Sequence, residues 1–375
     1  MPPKKVCVNA SNLHNGGGIQ VATSFIDELS RLPTVDLDIS VFVSSEVAQN
    51  LEEIGVNIAV FNQYRILNSY GLSSLWGGFQ RNFNGFDLVF TVFGPAYFWV
   101  MRGIWLTGFA QSWIVNGNNE IFRSFNVLQK FKSWCKFYLQ AWFFRRSRKL
   151  VVELCHVKCG LIKKGIAKKE DIYVVYNCIS SIYFKPEKWR PAPLSRNPIK
   201  FSIGFVGRDY AHKNVSILLN IKKLLACQGV DVDFYVTLTS LEWRSRSDEY
   251  RSNINNVGEL TVAQCPSFYQ LMDAVIFPSM LECFSATPLE AMIMGKPLFA
   301  SDRDFVRDVC GNFPWYFDPV NPASAAAKIM LYIENYAGRD VARLENAREH
   351  AANFSNAKCR AEEYIKIIRG ELGLG

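Results

Sequence analysis

Two glutamates, Glu282 and Glu290, are separated by seven residues that include a polar turn. The turn follows an apolar strand that ends at Phe277, and it leads into a helix that we predict to begin at Pro288 with Thr287 as its N-cap. A helix N-terminus attracts phosphate, because its backbone N–H groups and its dipole point at the anion. The two carboxylates could then accept hydrogen bonds from sugar or ribose hydroxyls. The stretch therefore predicts a site for a ligand that carries phosphate and sugar hydroxyls.

Thr287 and Glu290 also have the spacing of a capping box. In a capping box the glutamate carboxylate accepts a hydrogen bond from a backbone N–H at the helix start. The sequence alone therefore leaves open whether Glu290 binds a ligand or only stabilises the helix.

The stretch from 277 to 302 resembles the signature of retaining, nucleotide-sugar-dependent glycosyltransferases of family four. That signature has a Glu, seven residues and a second Glu before a helix that reads L-E-A-M and a G-x-P strand. The matching residues are Glu282, Pro288, Leu289, Glu290, Ala291, Met292, Gly295 and Pro297. The family usually has glycines around the Phe that follows the first Glu, whereas this chain has Cys283, Phe284 and Ser285. The resemblance implies that Phe284, Ser285 and Glu290 contact the donor. Glu290 would contact the ribose of the donor nucleotide.

Two cations follow another apolar strand, which covers residues 201–207. Arg208 and Lys213 lie in the turn at its carboxyl end, where a guanidinium fork and an ammonium can clamp a diphosphate. In the resembling family an Arg and a Lys at this place stabilise the departing nucleotide diphosphate, and the first Glu of the motif holds the donor sugar. The predicted catalytic residues are therefore Arg208, Lys213 and Glu282. We interpret His212 as a turn residue without a chemical role.

A glycine-rich loop near the N-terminus lies between a predicted strand, residues 4–10, and a predicted helix, residues 19–32. Glycines in such a loop let the backbone approach a phosphate or a sugar. A tight strand-to-helix turn without a ligand explains the same glycines. In the resembling family this loop faces the donor diphosphate and the acceptor, which implies that Gly17 and Gly18 bind the donor.

No acidic residue lies between Glu120 and Glu153, whereas cations and aromatic residues alternate through this segment. The residues that we predict to contact a membrane or the acceptor are Lys130, Lys132, Lys136, Arg145, Arg146, Trp134 and Trp142. At helical spacing, a polar face that includes Ser133 and Gln140 lies opposite an apolar face that includes Phe131 and Tyr138. Such a helix is typical of one that lies in an anionic membrane surface. An apolar face packed on the sheet is the alternative, and nucleic-acid binding is disfavoured because so large an apolar face must be kept dry.

The composition is that of a globular protein, with 49% hydrophobic and 20% charged residues among 375. This length allows two domains, each with its own core. A net charge of +8 favours anionic partners such as nucleotide diphosphates or acidic lipids. We find neither a transmembrane run nor the apolar core of a signal peptide, and we interpret the ten scattered cysteines as reduced, so a cytoplasmic location is expected. Cys155, His156 and Cys159 lack a fourth ligand, so no metal site is predicted.

Alternating strands and helices predict an α/β protein with parallel sheets covered on both faces. One of the predicted strands covers residues 56–61. The resemblance implies the GT-B architecture, two Rossmann-like domains with parallel sheets that face a central cleft. The predicted divisions are an acceptor-binding N-terminal domain (1–185), a proline-rich linker (186–198), a nucleotide-sugar-binding C-terminal domain (199–355) and a C-terminal helix that returns to the first domain (356–375).

The resemblance also implies an activity. It is transfer of a sugar from a nucleotide-diphosphate sugar to a hydroxyl of a saccharide acceptor, with retention of anomeric configuration and without a metal or other cofactor. The expected acceptor is linked to polyprenyl diphosphate, in bacterial O-antigen or capsule synthesis on the inner face of the cell membrane. Many family members have a first-domain histidine where this chain has Gln111 or a neighbour. The alternatives are a nucleotide-sugar epimerase of the same fold and a non-catalytic basic protein that binds a membrane or nucleic acid.

Overall fold

A computed structural model describes residues 2–76, 78–100 and 102–374. The chain divides into two compact units. The first contains residues 1–117, 125–177 and 356–375, and the second contains residues 118–124 and 178–355. Apart from the short segment 118–124, the chain passes from the first unit to the second after Asn177 and returns after Ser355.

The strands and helices of the described residues alternate along most of the chain. The strands are β1 (Lys4–Ala10), β2 (Leu37–Val43), β3 (Gln63–Ile66), β4 (Leu88–Thr91), β5 (Ile104–Phe109), β6 (Lys149–Val152), β7 (Ile172–Val174), β8 (Phe201–Phe205), β9 (Val232–Val236), β10 (Asn255–Asn256), β11 (Ala274–Phe277), β12 (Leu298–Ser301) and β13 (Trp315–Phe317). The helices are α1 (Gly17–Leu29), α2 (Ser45–Glu53), α3 (Ser112–Val115), α4 (Glu120–Ser124), α5 (Val127–Arg146), α6 (Cys155–Lys163), α7 (Ile217–Cys227), α8 (Ser240–Arg244), α9 (Asp248–Asn253), α10 (Cys265–Leu271), α11 (Thr287–Ile293), α12 (Asp304–Cys310), α13 (Pro322–Asn335), α14 (Val341–Phe354) and α15 (Ala357–Glu371).

The first unit contains a parallel sheet whose strands, within the described ranges, follow the order β3-β2-β1-β4-β5-β6-β7. The register of β1 on β2 runs from Lys4 opposite Leu37 to Ala10 opposite Val43. On its other side β1 pairs with β4, so the strand order reverses at β1. In open α/β sheets, ligands bind at the carboxyl ends of strands beside such a reversal. The glycine-rich loop follows β1 at this edge.

The prediction of a strand at residues 56–61 is wrong. A 3₁₀ turn at Ile58–Val60 takes its place, because the side chain of Asn57 accepts a hydrogen bond from the backbone N–H of Ala59 and caps the turn. The strand β3 forms a few residues later.

The core of the first unit includes a helix from the end of the chain. The ring of Tyr364 on α15 lies 5.0 Å from the ring of Phe25 on α1 and 4.9 Å from that of Phe90 on β4. Arg360, one turn earlier on α15, is almost fully buried and donates to Ser24 Oγ (2.6 Å), to the carbonyl of Val21 (3.3 Å) and to the side-chain oxygen of Asn177. The last helix is therefore part of the first unit's interior.

The second unit contains a smaller parallel sheet, whose described strands follow the order β10-β9-β8-β11-β12-β13. Its central strands are continuous apolar runs, as expected for a sheet covered on both faces. Residues 178–198 belong to this unit. In the segment that we predict to be a linker, the backbone N–H of Arg190 donates to the carbonyl of Ala263 (2.8 Å), and Leu194 packs on a buried cluster.

Candidate functional site

Arg208 lies just beyond the carboxyl end of β8. The chain turns at Gly207, whose φ of 154° is readily adopted only by glycine, and the Gly207 N–H donates to Thr237 Oγ1 (3.1 Å). Arg208 Nε then donates to Glu242 Oε1 (2.9 Å), and Nη1 donates to Glu259 Oε1 (3.3 Å). The guanidinium is therefore oriented by two carboxylates, with nearly half of the side chain still exposed.

Glu242 holds both Arg208 and the turn that carries it. Its Oε1 also accepts from the backbone N–H of Asp209 (3.1 Å), and its Oε2 accepts from the N–H and the hydroxyl of Thr239 (both 2.9 Å). Burial alone would raise the pKa of Glu242, but the hydrogen bonds from Arg208, Thr239 and Asp209 lower it to about 2. Sequence reasoning missed Glu242, although Thr239-x-x-Glu242 is a capping box that the sequence displays.

Lys213 and Glu282 form an ion pair, with 2.7 Å between Nζ and Oε1. The two side chains are only 14% and 10% exposed. The loops that carry them are joined by a hydrogen bond of 2.7 Å from the Met280 N–H to the His212 carbonyl. Lys213 Nζ also lies 5.4 Å from the ring centroid of Phe277, the last residue of β11. The structure thus brings together two of the three predicted catalytic residues, while Arg208 has other partners in the same unit.

The environment of Glu290 excludes the capping box. The N-cap of α11 is Ala286, which already has helical backbone angles, so Thr287 lies inside the helix and its prediction as N-cap is wrong. The Glu290 carboxylate instead accepts a hydrogen bond from the hydroxyl of Tyr269 (2.9 Å). Burial raises the pKa of Glu290, while hydrogen bonds from Tyr269 and Tyr183 oppose that shift. Both tyrosines are buried and were not predicted.

Four other residues predicted to bind the donor lie in two places, two in each unit. Ser285 is buried and Phe284 is half-buried, in the loop between β11 and α11. Gly17 and Gly18 begin α1, and a Cβ added to Gly18 would lie 3.3 Å from a methyl group of Leu13. Gly16 before them has a φ of 73°, which accounts for one glycine through backbone geometry alone. Contact of these four residues with a donor stays a prediction.

The basic and aromatic segment forms α4 and the longer helix α5, which is capped by Asn126 and Gln129. Aromatic and aliphatic side chains along the first two thirds of α5 are exposed to solvent. They are Val127, Leu128, Phe131, Trp134, Tyr138 and Leu139. The ring of Trp134 stacks on Phe131 (6.5 Å) and on Tyr138 (5.2 Å). We call these six residues the α5 apolar stripe.

The rotation of α5 is set by its last third, where Phe143 and Phe144 are buried against Tyr97 (4.9 Å) and Phe109 (4.6 Å). This rotation turns Gln140 inward, with Nε2 3.3 Å from the Tyr97 hydroxyl, so the predicted polar face is buried at Gln140. The alternative in which the apolar face packs on the sheet is wrong, since the α5 apolar stripe is exposed.

The cations that we predicted here differ in their surroundings. Lys132 and Lys136 are exposed and Lys130 is half-buried. Arg145 donates to the carbonyls of Gly165 and Lys164, and Arg146 donates to the carbonyl of Trp99 and lies 4.6 Å from the ring centroid of Trp142. No described helix is long and apolar enough to cross a bilayer.

Three other features of the sequence have a plain structural account. Gln111 is the N-cap of α3, just after β5. The residues that the structure describes include all ten cysteines and form no disulfide bond. Those same ranges contain no group of three or more His, Cys, Asp or Glu side chains placed to hold a metal. Cys155 and Cys159 therefore belong to no such group.

Residues 190–353, which carry Arg208, Lys213, Glu282 and Glu290, match the family model described as glycosyl transferases group 1. They form a group 1 glycosyltransferase domain. The O-antigen chain mannosyltransferase RfbU of Salmonella typhimurium is 25% identical to this chain over 198 residues, which are 48% of this chain and 52% of RfbU. The match therefore spans about half the length of that relative.

Solved structures resemble the whole chain, including the part outside the group 1 domain. HepE of Anabaena, in complex with UDP and glucose, has a TM-score of 0.70 at 14% identity, with 98% of this chain and all of HepE covered. WaaG, described as a glycosyltransferase involved in lipopolysaccharide biosynthesis, has a TM-score of 0.64 at 13% identity, with 98% and 100% covered. These likenesses, together with the two parallel sheets, confirm the prediction of an α/β protein with the GT-B fold.

Proposed function

We propose that this protein is a glycosyltransferase that moves a hexosyl group from a nucleotide-diphosphate sugar to a hydroxyl of a saccharide acceptor, with retention of anomeric configuration. The observation that carries the proposal is the largely buried Lys213–Glu282 pair, which, like Arg208, lies on the loops that follow β8 and β11 at the carboxyl edge of the group 1 domain's sheet. Cations and a carboxylate at this edge suit a ligand that joins a diphosphate to a sugar. The O-antigen relative and the lipopolysaccharide enzyme support a bacterial surface polysaccharide as the product.

In the proposed reaction the bond between the anomeric carbon and the diphosphate oxygen breaks, and the electron pair leaves with the diphosphate. The acceptor hydroxyl oxygen forms the new bond to the anomeric carbon, and its proton passes to the departing diphosphate. The Arg208 guanidinium and the Lys213 ammonium would stabilise that negative charge, since fixed positive groups are worth most in a site that excludes water. The charge that a divalent cation supplies in other enzymes would come from these side chains, so we propose that no metal is needed. Glu282 would orient Lys213 and accept hydrogen bonds from the donor-sugar hydroxyls.

Glu290 would accept hydrogen bonds from the ribose. We expect Glu290→Gln to raise the KM for the donor about tenfold, because a neutral acceptor binds a hydroxyl less strongly than a carboxylate does. Gln keeps the size of the side chain and an acceptor for Tyr269, so kcat and folding should change little. A variant with an unchanged KM and a lower Tm would show that Glu290 has only a structural role.

The difference in stability between this variant and the native protein should depend on pH in a defined direction. Burial raises the pKa of Glu290 above its ordinary value of 4.5, so the folded protein holds this proton more tightly than the unfolded chain does. Stability from this group is fully present below the ordinary value and is lost as the pH rises. Gln has no proton to lose, so the Tm of Glu290→Gln relative to the native protein should increase as the pH rises above about 4.5.

The second part of the proposal is that α5 docks the protein on the inner face of the cell membrane, where a polyprenyl-diphosphate-linked saccharide is the acceptor. The α5 apolar stripe is exposed, and Lys132 and Lys136 on the same helix are exposed too. Aromatic rings and lysines side by side suit the boundary between acyl chains and anionic headgroups. The comparison with a lipopolysaccharide enzyme supports a lipid-linked acceptor.

The proposed activity can be tested with a panel of UDP-, GDP- and dTDP-sugars. A donor that binds the folded protein raises its apparent Tm, by an amount that increases with ligand concentration. We expect one donor to do so in the native protein and to do so less in Lys213→Ala. Lys223→Ala is the matched control, because Lys223 is also paired with a glutamate of the second unit but lies on the surface of α7. A panel without a shift would contradict a donor site, and conversion of the bound donor without an acceptor would favour the epimerase.

A further inference from the structure

An exposed tyrosine in the first unit rests on a histidine. The rings of Tyr70 and His14 are stacked, with 4.2 Å between their centroids and 15° between their planes. Tyr70 is nonetheless 61% exposed, so its other face is open to solvent. His14, in contrast, has a side chain that is only 12% exposed.

His14 is held on both of its ring nitrogens. Its Nδ1 lies 2.8 Å from Glu46 Oε2, and its Nε2 donates to the carbonyl of Ser69 (3.0 Å). Ser69, next to Tyr70, is itself anchored by a hydrogen bond of 2.9 Å from its N–H to the carbonyl of Ser11. The start of α2 and the loop after β3 thus hold the His14 ring, and that ring supports one face of Tyr70. An aromatic surface that is already ordered loses little conformational entropy when a ligand stacks on it.

These loops meet at the carboxyl edge of the first sheet. His14 follows β1, Glu46 begins the helix after β2, and Tyr70 follows β3, so they extend from the glycine-rich loop along three neighbouring strands. Two polar side chains belong to the same cluster: the Glu46 side chain, which holds His14, is 40% exposed, and the exposed Asn68, two residues before Tyr70, donates to Ser45 Oγ (2.9 Å). An aromatic surface with a few polar groups is a common form of binding site for a small polar ligand.

We infer that Tyr70, backed by His14, is a stacking platform for a saccharide. The C–H groups on one side of a pyranose ring can lie on the face of Tyr70, because that face carries partial negative charge. The hydroxyls at the rim of the sugar can donate to the exposed part of the Glu46 carboxylate. A negatively charged nucleotide fits less well, because the Glu46 carboxylate repels its phosphates. The inference rests on the proposed function, in which a saccharide is the acceptor.

The test uses saturation-transfer NMR with methyl glycosides of glucose, galactose, mannose and N-acetylglucosamine, without donor and without lipid. We expect at least one of them to receive saturation from the native protein at the ring protons of one sugar face. Tyr70→Ala should weaken that binding about tenfold, whereas Tyr70→Phe, which keeps the ring, should stay within about threefold. His14→Ala removes the backing ring and should weaken binding less than Tyr70→Ala does.

Tyr138→Ala is the matched control, since Tyr138 is exposed to a similar extent (57%) in the same unit but belongs to the α5 apolar stripe. It should bind the glycosides as the native protein does. The inference is overturned if no methyl glycoside receives saturation, or if Tyr70→Ala and Tyr138→Ala behave alike. Failure of the proposed function would appear elsewhere, as a missing thermal shift with every nucleotide sugar, and Tyr70→Ala should leave that shift unchanged.

Discussion

Arg208→Ala and Lys213→Ala should each lower sugar transfer about a hundredfold or more, which is the scale of losing one preorganised group that stabilises developing charge. In the folded protein both cations are already held in place by carboxylates. Glu242 and Glu259 hold Arg208, and Glu282 holds Lys213. Because negative charge on the diphosphate is greater in the transition state than in the bound donor, the loss should fall mainly on kcat. The measurement is steady-state transfer with the donor identified by thermal shift.

Arg307→Ala is a matched control for Arg208→Ala. Both arginine side chains are 46% exposed in the second unit, and both pair with carboxylates, Arg307 with Asp302. The control should therefore retain activity within about twofold, the small effect expected of an exposed ion pair. Activity near the native level in both Arg208→Ala and Lys213→Ala would remove the two cations from the mechanism.

Lys213→Ala also leaves the Glu282 carboxylate buried without its partner, which should cost about 1–3 kcal/mol of stability. Activity must therefore be measured well below the Tm of each variant. The double variant Lys213→Met with Glu282→Gln removes both charges and should recover part of that stability, because an uncharged pair leaves no ion buried. Since it lacks the cation, it should not recover kcat.

Replacement of Glu242 should affect kcat indirectly, through Arg208. Glu242→Gln would keep the shape of the capping box but would weaken the hold on Arg208, so we expect a smaller loss of kcat than in Arg208→Ala. The carboxylate has a pKa of about 2, so it stays ionised through the whole neutral range and gives the native protein no pH dependence there.

The sequence was most informative where one local rule decided the structure. Central strands such as β11, a continuous apolar run, and β1, whose residues 6–10 are buried, end where the chemically active side chains lie, at the carboxyl edge of a parallel sheet. That placement is why Lys213 and Glu282 could be assigned to one site although 69 residues separate them. The residues that lie behind this site could not be found in the same way. Tyr269 on α10 donates a hydrogen bond to Glu290 on α11, a contact that no spacing in the sequence reveals.

The helix α5 shows a different limit. Helical periodicity identified two faces, but periodicity does not say which face is turned to the protein. Phe143 and Phe144 decide this, because their buried rings fix the rotation of the whole helix. The expected polar face is therefore partly inside, and the α5 apolar stripe is outside. The strand predicted at residues 56–61 failed for a local reason, since the Asn57 cap outweighs the β preference of the apolar residues that follow it.

The exposure of the α5 apolar stripe leads to a prediction about membrane binding. The native protein should cosediment with anionic liposomes at low salt, and replacement of Lys130, Lys132 and Lys136 by Ser should weaken this binding about a hundredfold. The reason is that each lysine near an anionic leaflet contributes about 1 kcal/mol. Arg145 and Arg146 are left in place, because their hydrogen bonds to backbone carbonyls give them a structural role.

A second variant separates the apolar part of the docking from the electrostatic part. Phe131→Ser with Trp134→Ser removes two exposed rings without touching a cation, so binding should fall at low and at high salt alike. The lysine variant, in contrast, should lose mainly the part of the binding that salt screens. Leu241→Ser is the control, because Leu241 is a highly exposed apolar residue of the second unit, and it should bind liposomes as the native protein does. If all of these proteins cosedimented equally, or if none did, α5 would not be the docking surface, and a soluble saccharide would be the better acceptor.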